Sequence, residues 1–314
     1  MTPAALAVDA GQSGVRVALT DERGRRSATA PGVVRMGIPD GPDAVAEVLL
    51  AAVAGLGPLP EPAPPTGIGL SGLEAATDAD LDRLGRRLRH ELRAERLAIA
   101  SDALTALLGA LGTRDGVVVA AGTGTACLGR RGERFAKVDG WGSLLGDAGS
   151  GFAIGRAGLD AALRELDGRG GSARLLLAAK RHFGSDERIP ELVYAAEAPS
   201  RAIAGFAVEV TREAAAGDER AVEILAEAGR ELAVTACAAL GRLFETGEAA
   251  LVSYTGNVFR AGELVVEPFT RTLASLRPGT ALVPPSGDPL AGAGVLAELS
   301  ARLRPEPGLL STWA

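Results

Sequence analysis

Apolar residues near the start of the chain fall into short runs at 4–9 and 15–19, broken by Gly11-Gln12-Ser13-Gly14. That is the pattern of a β-hairpin whose turn carries polar hydrogen-bonding groups. A third apolar run at 28–34 predicts another strand and 43–54 a helix, before the proline-rich stretch 58–65, which reads as a loop or stiff linker. The runs at 67–70 and 97–100 have the length and composition of buried strands, and each leads into a helical pattern, as parallel βα units do. Between them Leu81, Leu84, Leu88 and Leu92 recur at helical spacing among arginines and acids, which predicts an amphipathic helix with one solvated face. The theme then repeats: 116–121, 125–130 and 133–138 predict a second three-strand run around a glycine-rich turn, so an approximate duplication is expected. From 157 to about 245 the pattern is nearly all helical, with Asp218 predicted as the N-cap of a long helix. Residues 251–254 return to strand before Gly256-Asn257. An alanine-rich helix over about 291–303 follows and is expected to pack back on the first half.

Composition narrows the picture. With 314 residues and 47% apolar content, the chain can fill two ordinary domain cores. Forty-two glycines and only 4% aromatics imply many tight turns and cores built from Ala, Val and Leu. A net charge of −6 argues against a phosphate-backbone footprint, so no nucleic-acid partner is expected. Cys127 and Cys237 form no CxxC pair and the chain has two histidines, which removes zinc and disulfide frameworks from the expectation. No apolar run reaches the roughly 18 residues needed to span a bilayer, and Met1-Thr2-Pro3 lacks a basic leader region. A cytoplasmic protein without a membrane partner is therefore expected.

Four glycine-bearing turns are read as following apolar strands: Asp9-Ala10-Gly11-Gln12-Ser13-Gly14, Gly122-Thr123-Gly124-Thr125, Gly146-Asp147-Ala148-Gly149-Ser150-Gly151 and Thr255-Gly256-Asn257. Glycine lets backbone N–H groups approach an anion closely, and neighbouring hydroxyls add donors, which is what holding a polyphosphate requires. None of them is a GxxxxGKS loop. Asp102 sits where the predicted strand at 97–100 gives way to a helix, and the positive end of a helix suits a carboxylate.

These residues carry a resemblance. The run Val8-Asp9-Ala10-Gly11-Gln12-Ser13 resembles the first phosphate motif of the actin, hexokinase and Hsp70 superfamily. Ala120-Ala121-Gly122-Thr123-Gly124-Thr125-Ala126-Cys127 and Gly140-Trp141-Gly142-Ser143-Leu144-Leu145-Gly146-Asp147-Ala148-Gly149-Ser150-Gly151 are similar to the N-acetylglucosamine kinase family, which is grouped with the BadF/BadG/BcrA/BcrD-type ATPases. The resemblance implies an α/β, two-lobed actin-like/ribonuclease H-like ATPase fold, each lobe with a mixed βββαβα core and a cleft between lobes. The N-terminal lobe would comprise 1–112 plus about 288–314, and the C-terminal lobe, with a helical insert, 113–287. It also implies an ATP-dependent sugar kinase with Asp102 as catalytic aspartate. Asp147, Thr125, Gly146, Ser71 and Gly72 would line the sugar site, and Asp9, Gly11, Gln12, Ser13, Gly122, Thr123 and Gly124 the phosphate sites. Gly256 and Asn257 match the adenosine motif. Magnesium would be held mainly by the nucleotide's phosphates, with Asp9 near it through water.

Phosphoryl transfer has a loose transition state, so an aspartate that orients the attacking hydroxyl and accepts its proton late suffices. Lobe closure would exclude water before transfer to a sugar 6-hydroxyl. The family's first motif carries a glycine run where this chain has Ala10-Gly11-Gln12, Ala148 replaces an acidic residue, and 31–41 contains no asparagine. The sugar therefore stays open among N-acetylglucosamine, glucosamine, N-acetylmannosamine and N-acetylmuramic acid. Two other readings compete: a reductase-activating ATPase, which would need cysteines placed for iron and sulfur, and a non-catalytic sugar or nucleotide sensor. The resemblance further implies a homodimer.

Overall fold

The computed structural model describes residues 4–11, 14–33, 36–38, 40–184, 188–302 and 304–313. Along the chain run β1 (Ala5–Gly11), β2 (Gly14–Asp21), β3 (Gly24–Ala30), α1 (Gly41–Ala54), β4 (Thr66–Leu70), α2 (Asp78–Leu92), β5 (Leu97–Ser101) and α3 (Asp102–Leu111). A second series follows, with β6 (Gly116–Ala121), β7 (Thr125–Arg131), β8 (Arg134–Val138), α4 (Gly151–Leu166), α5 (Ala173–Phe183), α6 (Ile189–Tyr194), α7 (Pro199–Gly205), α8 (Ala207–Ala215) and α9 (Glu219–Leu243). The chain continues through β9 (Leu251–Thr255), α10 (Glu263–Leu276), β10 (Ala281–Leu282), α11 (Pro289–Leu299) and β11 (Leu310–Trp313). Two compact units result: Met1–Arg114 with Pro285–Ala314, and Asp115–Pro284.

The first unit is built on a six-stranded sheet in the order β11-β5-β4-β1-β2-β3. β1, β2 and β3 form an antiparallel meander, while β4 and β5 run parallel to β1. The parallel strands are mostly apolar because helices cover them: Leu6, Val8, Ile68, Leu70, Leu97 and Ile99 are all buried. The α2 helix starts at a capping box, with Thr77 accepting from the Asp80 N–H and the Asp80 carboxylate accepting from the Thr77 N–H. Its Leu81, Leu84, Leu88 and Leu92 point into the core, as their spacing predicts. The α11 helix packs on α3, β1 and β4. That packing is close because Gly292 stands against the Thr105 carbonyl oxygen, where any Cβ would overlap it.

The second unit repeats the plan with a five-stranded sheet, β10-β9-β6-β7-β8, in which β6, β7 and β8 form the meander and β9 runs parallel to β6. Helices α4 to α9 supply most of its core, and the 25-residue α9 begins at Asp218, whose carboxylate accepts from the Ala221 N–H. The few aromatics gather here: the Tyr254 and Phe259 rings lie 4.5 Å apart, and Phe259 meets Phe269 edge-on at 5.8 Å.

The structure corrects several expectations. The third strand is Gly24–Ala30, not 28–34, because β2 turns back at once and pairs Asp21 with Gly24. At the sheet edge it turns only the small Ala28 and Ala30 to the core, while Arg25, Ser27 and Thr29 are exposed, so its apolar pattern is weak. The helical stretch begins at Gly151 rather than 157, with Ser150 as N-cap. The segment Gly146 to Gly151 does not follow a strand; it ends a loop after β8 and leads into α4. The closing helix stops at Leu299, and β11 then adds antiparallel to β5, with the Trp313 ring filling the space over Gly85.

Candidate functional site

In the first unit, parallel pairing aligns the C-terminal ends of three adjacent strands: Ala10 of β1 is level with Leu70 of β4, and Leu70 with Ser101 of β5. Sequence-predicted residues follow at each end, and this edge of an open α/β sheet is where ligands bind. Asp9 and Gly11 close β1, Ser71 and Gly72 follow β4, and Asp102 opens α3 after β5. Gln12 and Ser13 lie outside the described residues. The cap of α3 is Ser101, whose hydroxyl accepts from the Leu104 N–H at 3.3 Å, so Asp102 is released from capping. Ser71 donates its hydroxyl to Asp102 Oδ2 at 2.6 Å and fixes the carboxylate. Gly72 is exposed, at φ 77°, and starts a short 3₁₀ turn.

Asp9 stands directly across the hairpin from Arg16. The Arg16 guanidinium holds Asp9 Oδ2 through Nε at 3.0 Å and Nη2 at 2.6 Å, and reaches Asp288 Oδ2 through Nη1 at 2.6 Å. Asp9 Oδ1 takes no hydrogen bond among the described residues, and no group of three or more His, Cys, Asp or Glu side chains fit to hold a metal occurs among them. This donor set fits a magnesium ion carried on nucleotide phosphates and touched by one carboxylate, not a protein cage.

In the second unit the Gly122-Thr123-Gly124 turn sits on the start of α4: Gly151 donates to the Gly122 carbonyl at 2.8 Å and Phe152 to the Thr123 carbonyl at 3.0 Å. The Thr123 and Gly124 N–H groups have no partner among the described residues, so two donors at a positive helix end are open to an anion. Asp147 is buried in the left-handed conformation at φ 59°, and its carboxylate takes the backbone N–H groups of Thr125 and Gly142. Burial pushes the Asp147 carboxyl above the usual range, the nearby Asp139 charge adds to this, and the Thr125 and Gly142 bonds oppose it. Asp147 presses so closely on Gly124 that a Cβ there would lie 2.6 Å from Oδ2. Thr125 Oγ1 is buried beside them with no hydrogen-bond partner.

Asp139 organises this loop, and the sequence reading missed it. Its Oδ1 accepts from the Gly140 and Asp147 N–H groups, both at 2.8 Å, and its Oδ2 from Ala148 at 2.9 Å. Gly146 fits under Asp139 and Trp141 only because it lacks a side chain. The loop so pinned holds Trp141, Leu144 and Leu145 out to solvent. Gly256 follows β9 at φ 104°, which favours glycine, and abuts the Ala121 carbonyl where a Cβ would overlap it. It therefore lies beside the Gly122 turn, and Asn257 opens the 3₁₀ turn Asn257–Ala261 that Phe259 anchors in the core.

The thiols show no activation. Burial pushes Cys127 strongly up, Cys237 is raised by burial as well, and Cys127 is fully enclosed. Among the described residues no helix is long and apolar enough to cross a membrane.

Two α/β units of repeated plan, each an antiparallel meander extended by parallel strands, define the actin-like ATPase fold. The chain belongs to the BadF/BadG/BcrA/BcrD ATPase family, whose family model matches residues 6–297. A candidate N-acetylglucosamine kinase from Chromobacterium violaceum is 25% identical, with a TM-score of 0.74 over 94% of this chain and 99% of that one. A ROK family glucokinase from Streptomyces griseus, solved with glucose and AMPPNP, is similar in fold at 17% identity and a TM-score of 0.58, over 94% of this chain and 98% of that one. N-acetylmuramic acid/N-acetylglucosamine kinase of Clostridium acetobutylicum is 43% identical over 76 residues. That stretch spans 24% of this chain and only 25% of that protein.

Proposed function

We propose that the chain is an ATP-dependent amino-sugar kinase that phosphorylates the 6-hydroxyl of N-acetylglucosamine or a close relative: glucosamine, N-acetylmannosamine or N-acetylmuramic acid. The observation that carries this reading is the Asp102 carboxylate, freed from capping and oriented by Ser71 at the C-terminal ends of the parallel strands β1, β4 and β5. Asp102 orients the sugar hydroxyl and takes its proton as the oxygen–phosphorus bond forms; the bond from the γ-phosphorus to the bridging oxygen breaks, and its electrons leave with ADP. The open N–H groups of Thr123 and Gly124 bind phosphate oxygens, with Gly11 and Gly122 allowing the backbone to approach and Gln12 and Ser13 adding donors. Asp147, held in place by Asp139, and the unpartnered Thr125 hydroxyl receive sugar hydroxyls, while Gly256 and Asn257 take the adenosine. Magnesium, when bound with the nucleotide near Asp9, neutralises phosphate charge. A homodimer in the cytoplasm completes the reading, and light scattering of the purified chain tests the dimer.

The enclosed Cys127 disfavours the alternative of an ATPase working through cysteine-bound iron and sulfur. The deciding experiment is ATP·Mg-dependent phosphorylation of a sugar panel read by product mass, with Asp102→Asn alongside. Product from one amino sugar, falling by about 10² to 10⁴-fold in the variant, is the expected result. Nucleotide binding without transfer to any sugar would favour a sensor instead.

A further inference from the structure

The cation beside Asp9 has an anchor of its own. Asp288 Oδ1 caps α11 through the Ala291 N–H at 2.9 Å, while its Oδ2 holds Arg16 at 2.6 Å. The helix it caps is seated on α3 through the Gly292 contact with Thr105, so Asp288 cannot drift with Arg16. The guanidinium is thus clamped between a strand carboxylate and a helix cap, and two of its nitrogens occupy one oxygen of Asp9. Half-exposed ion pairs such as these add little to stability. What the clamp changes is what else can approach Asp9.

We propose that Arg16, anchored by Asp288, is a positioning residue that keeps Asp9 occupied until nucleotide arrives, so that the divalent ion enters only as its nucleotide complex. This rests on the kinase reading for the role of Asp9. A free divalent cation at Asp9 would meet a guanidinium already bonded to the same carboxylate, and like charges repel at that range. Pulling Arg16 away without a replacement would leave Asp9 and Asp288 facing each other uncompensated. A polyphosphate removes both obstacles, because it offers the guanidinium new acceptors for its fork of donors while delivering the metal.

The test is Mn²⁺ binding to the full chain, followed by loss of the free-ion electron paramagnetic resonance signal, first with the metal alone and then with a non-hydrolysable ATP analogue. The nucleotide-free wild type should bind Mn²⁺ at least tenfold more weakly than Arg16→Gln. Asp288→Asn should fall between them, and Arg16→Lys, which keeps the charge, should stay near wild type. Adding Asp9→Asn to Arg16→Gln should abolish the gain. Equal Mn²⁺ affinity in wild type, Arg16→Gln and Asp288→Asn, or a gain that survives Asp9→Asn, would overturn the proposal. If Arg16→Gln fails to fold, shown by a lost thermal transition, Asp288→Asn decides alone. No sugar is present, so failure of the kinase reading in the panel assay leaves this result intact, and the reverse also holds.

Discussion

Ser71→Ala removes one hydroxyl from the edge of the first sheet and nothing from its core. In the structure that hydroxyl donates to Asp102 Oδ2 at 2.6 Å, a short bond to a carboxylate. Hydrogen bonds to charged groups contribute about 1.5–3 kcal/mol, and about 1.36 kcal/mol is tenfold in rate. If Ser71 acts by aiming Asp102, the whole effect should appear in kcat, as a loss of about 10- to 150-fold. KM for the sugar should change little. The assay is steady-state ADP release with the sugar found by the panel, confirmed by product mass, on Ser71→Ala, Asp102→Asn and the double variant. Groups acting as a unit are not additive, so the double variant should be barely worse than Asp102→Asn. Full kcat in Ser71→Ala, or a double variant that multiplies both losses, would refute the reasoning; a rise in KM alone would make Ser71 a sugar contact and not an aimer of Asp102.

Other outcomes follow from the same geometry. Asp147→Asn keeps an acceptor and suits a positive φ; because burial raises the Asp147 carboxyl, the stability of its protonated form is present below the ordinary carboxylate range and lost as pH rises through the folded value. The variant should therefore melt above wild type at pH 7, with the gap closing near about pH 4, while sugar affinity falls; a gap independent of pH would contradict the burial argument. Gly256→Ala forces a side chain into the Ala121 carbonyl at φ 104° and ψ 168°, a conformation essentially confined to glycine; relieving a strain of about 1–3 kcal/mol should shift the turn, and calorimetry should find ATP binding at least about tenfold weaker. Gly292→Ala should lower stability by about 1–3 kcal/mol or more through overpacking against Thr105, seen as a lower denaturant midpoint. Thr77→Ala, which opens the capping box of α2, should cost about 1 kcal/mol and leave any kinase activity unchanged.

What the sequence disclosed depended on whether the physics was local. Strands β1, β4, β5 and β6 are apolar runs buried on both faces, and the leucine spacing of α2 and the Asp218 cap of α9 are periodic or punctuated signals, so all were readable. β3 was misplaced because this edge strand offers the core only the small Ala28 and Ala30, and β11 was missed because its identity comes from pairing with β5, more than 200 residues earlier. Around the site, the turns and Asp102 stood out through glycine and a strand–helix junction. Asp139 did not: its work is done through backbone N–H groups eight and nine residues ahead, which no side-chain pattern marks. Arg16 could have been found, since a hairpin pairing Gly11 with Gly14 sets Asp9 opposite Arg16 by counting alone.

The discontinuity of the first unit bears on the chain's synthesis. Its first 114 residues leave the ribosome early, yet the helix that seats on α3 and the strand that finishes the sheet beside β5 lie after residue 284. At about 5–20 residues per second, the 170 residues of Asp115–Pro284 take roughly 10–30 s. For that time β5 has a bare edge and the apolar surface of β1 and β4 lacks its covering helix, while the intervening 115–284 segment can already close its own core. Nascent chains stalled before residue 285 should consequently recruit chaperones through residues 1–114, not through the more recently made 115–284.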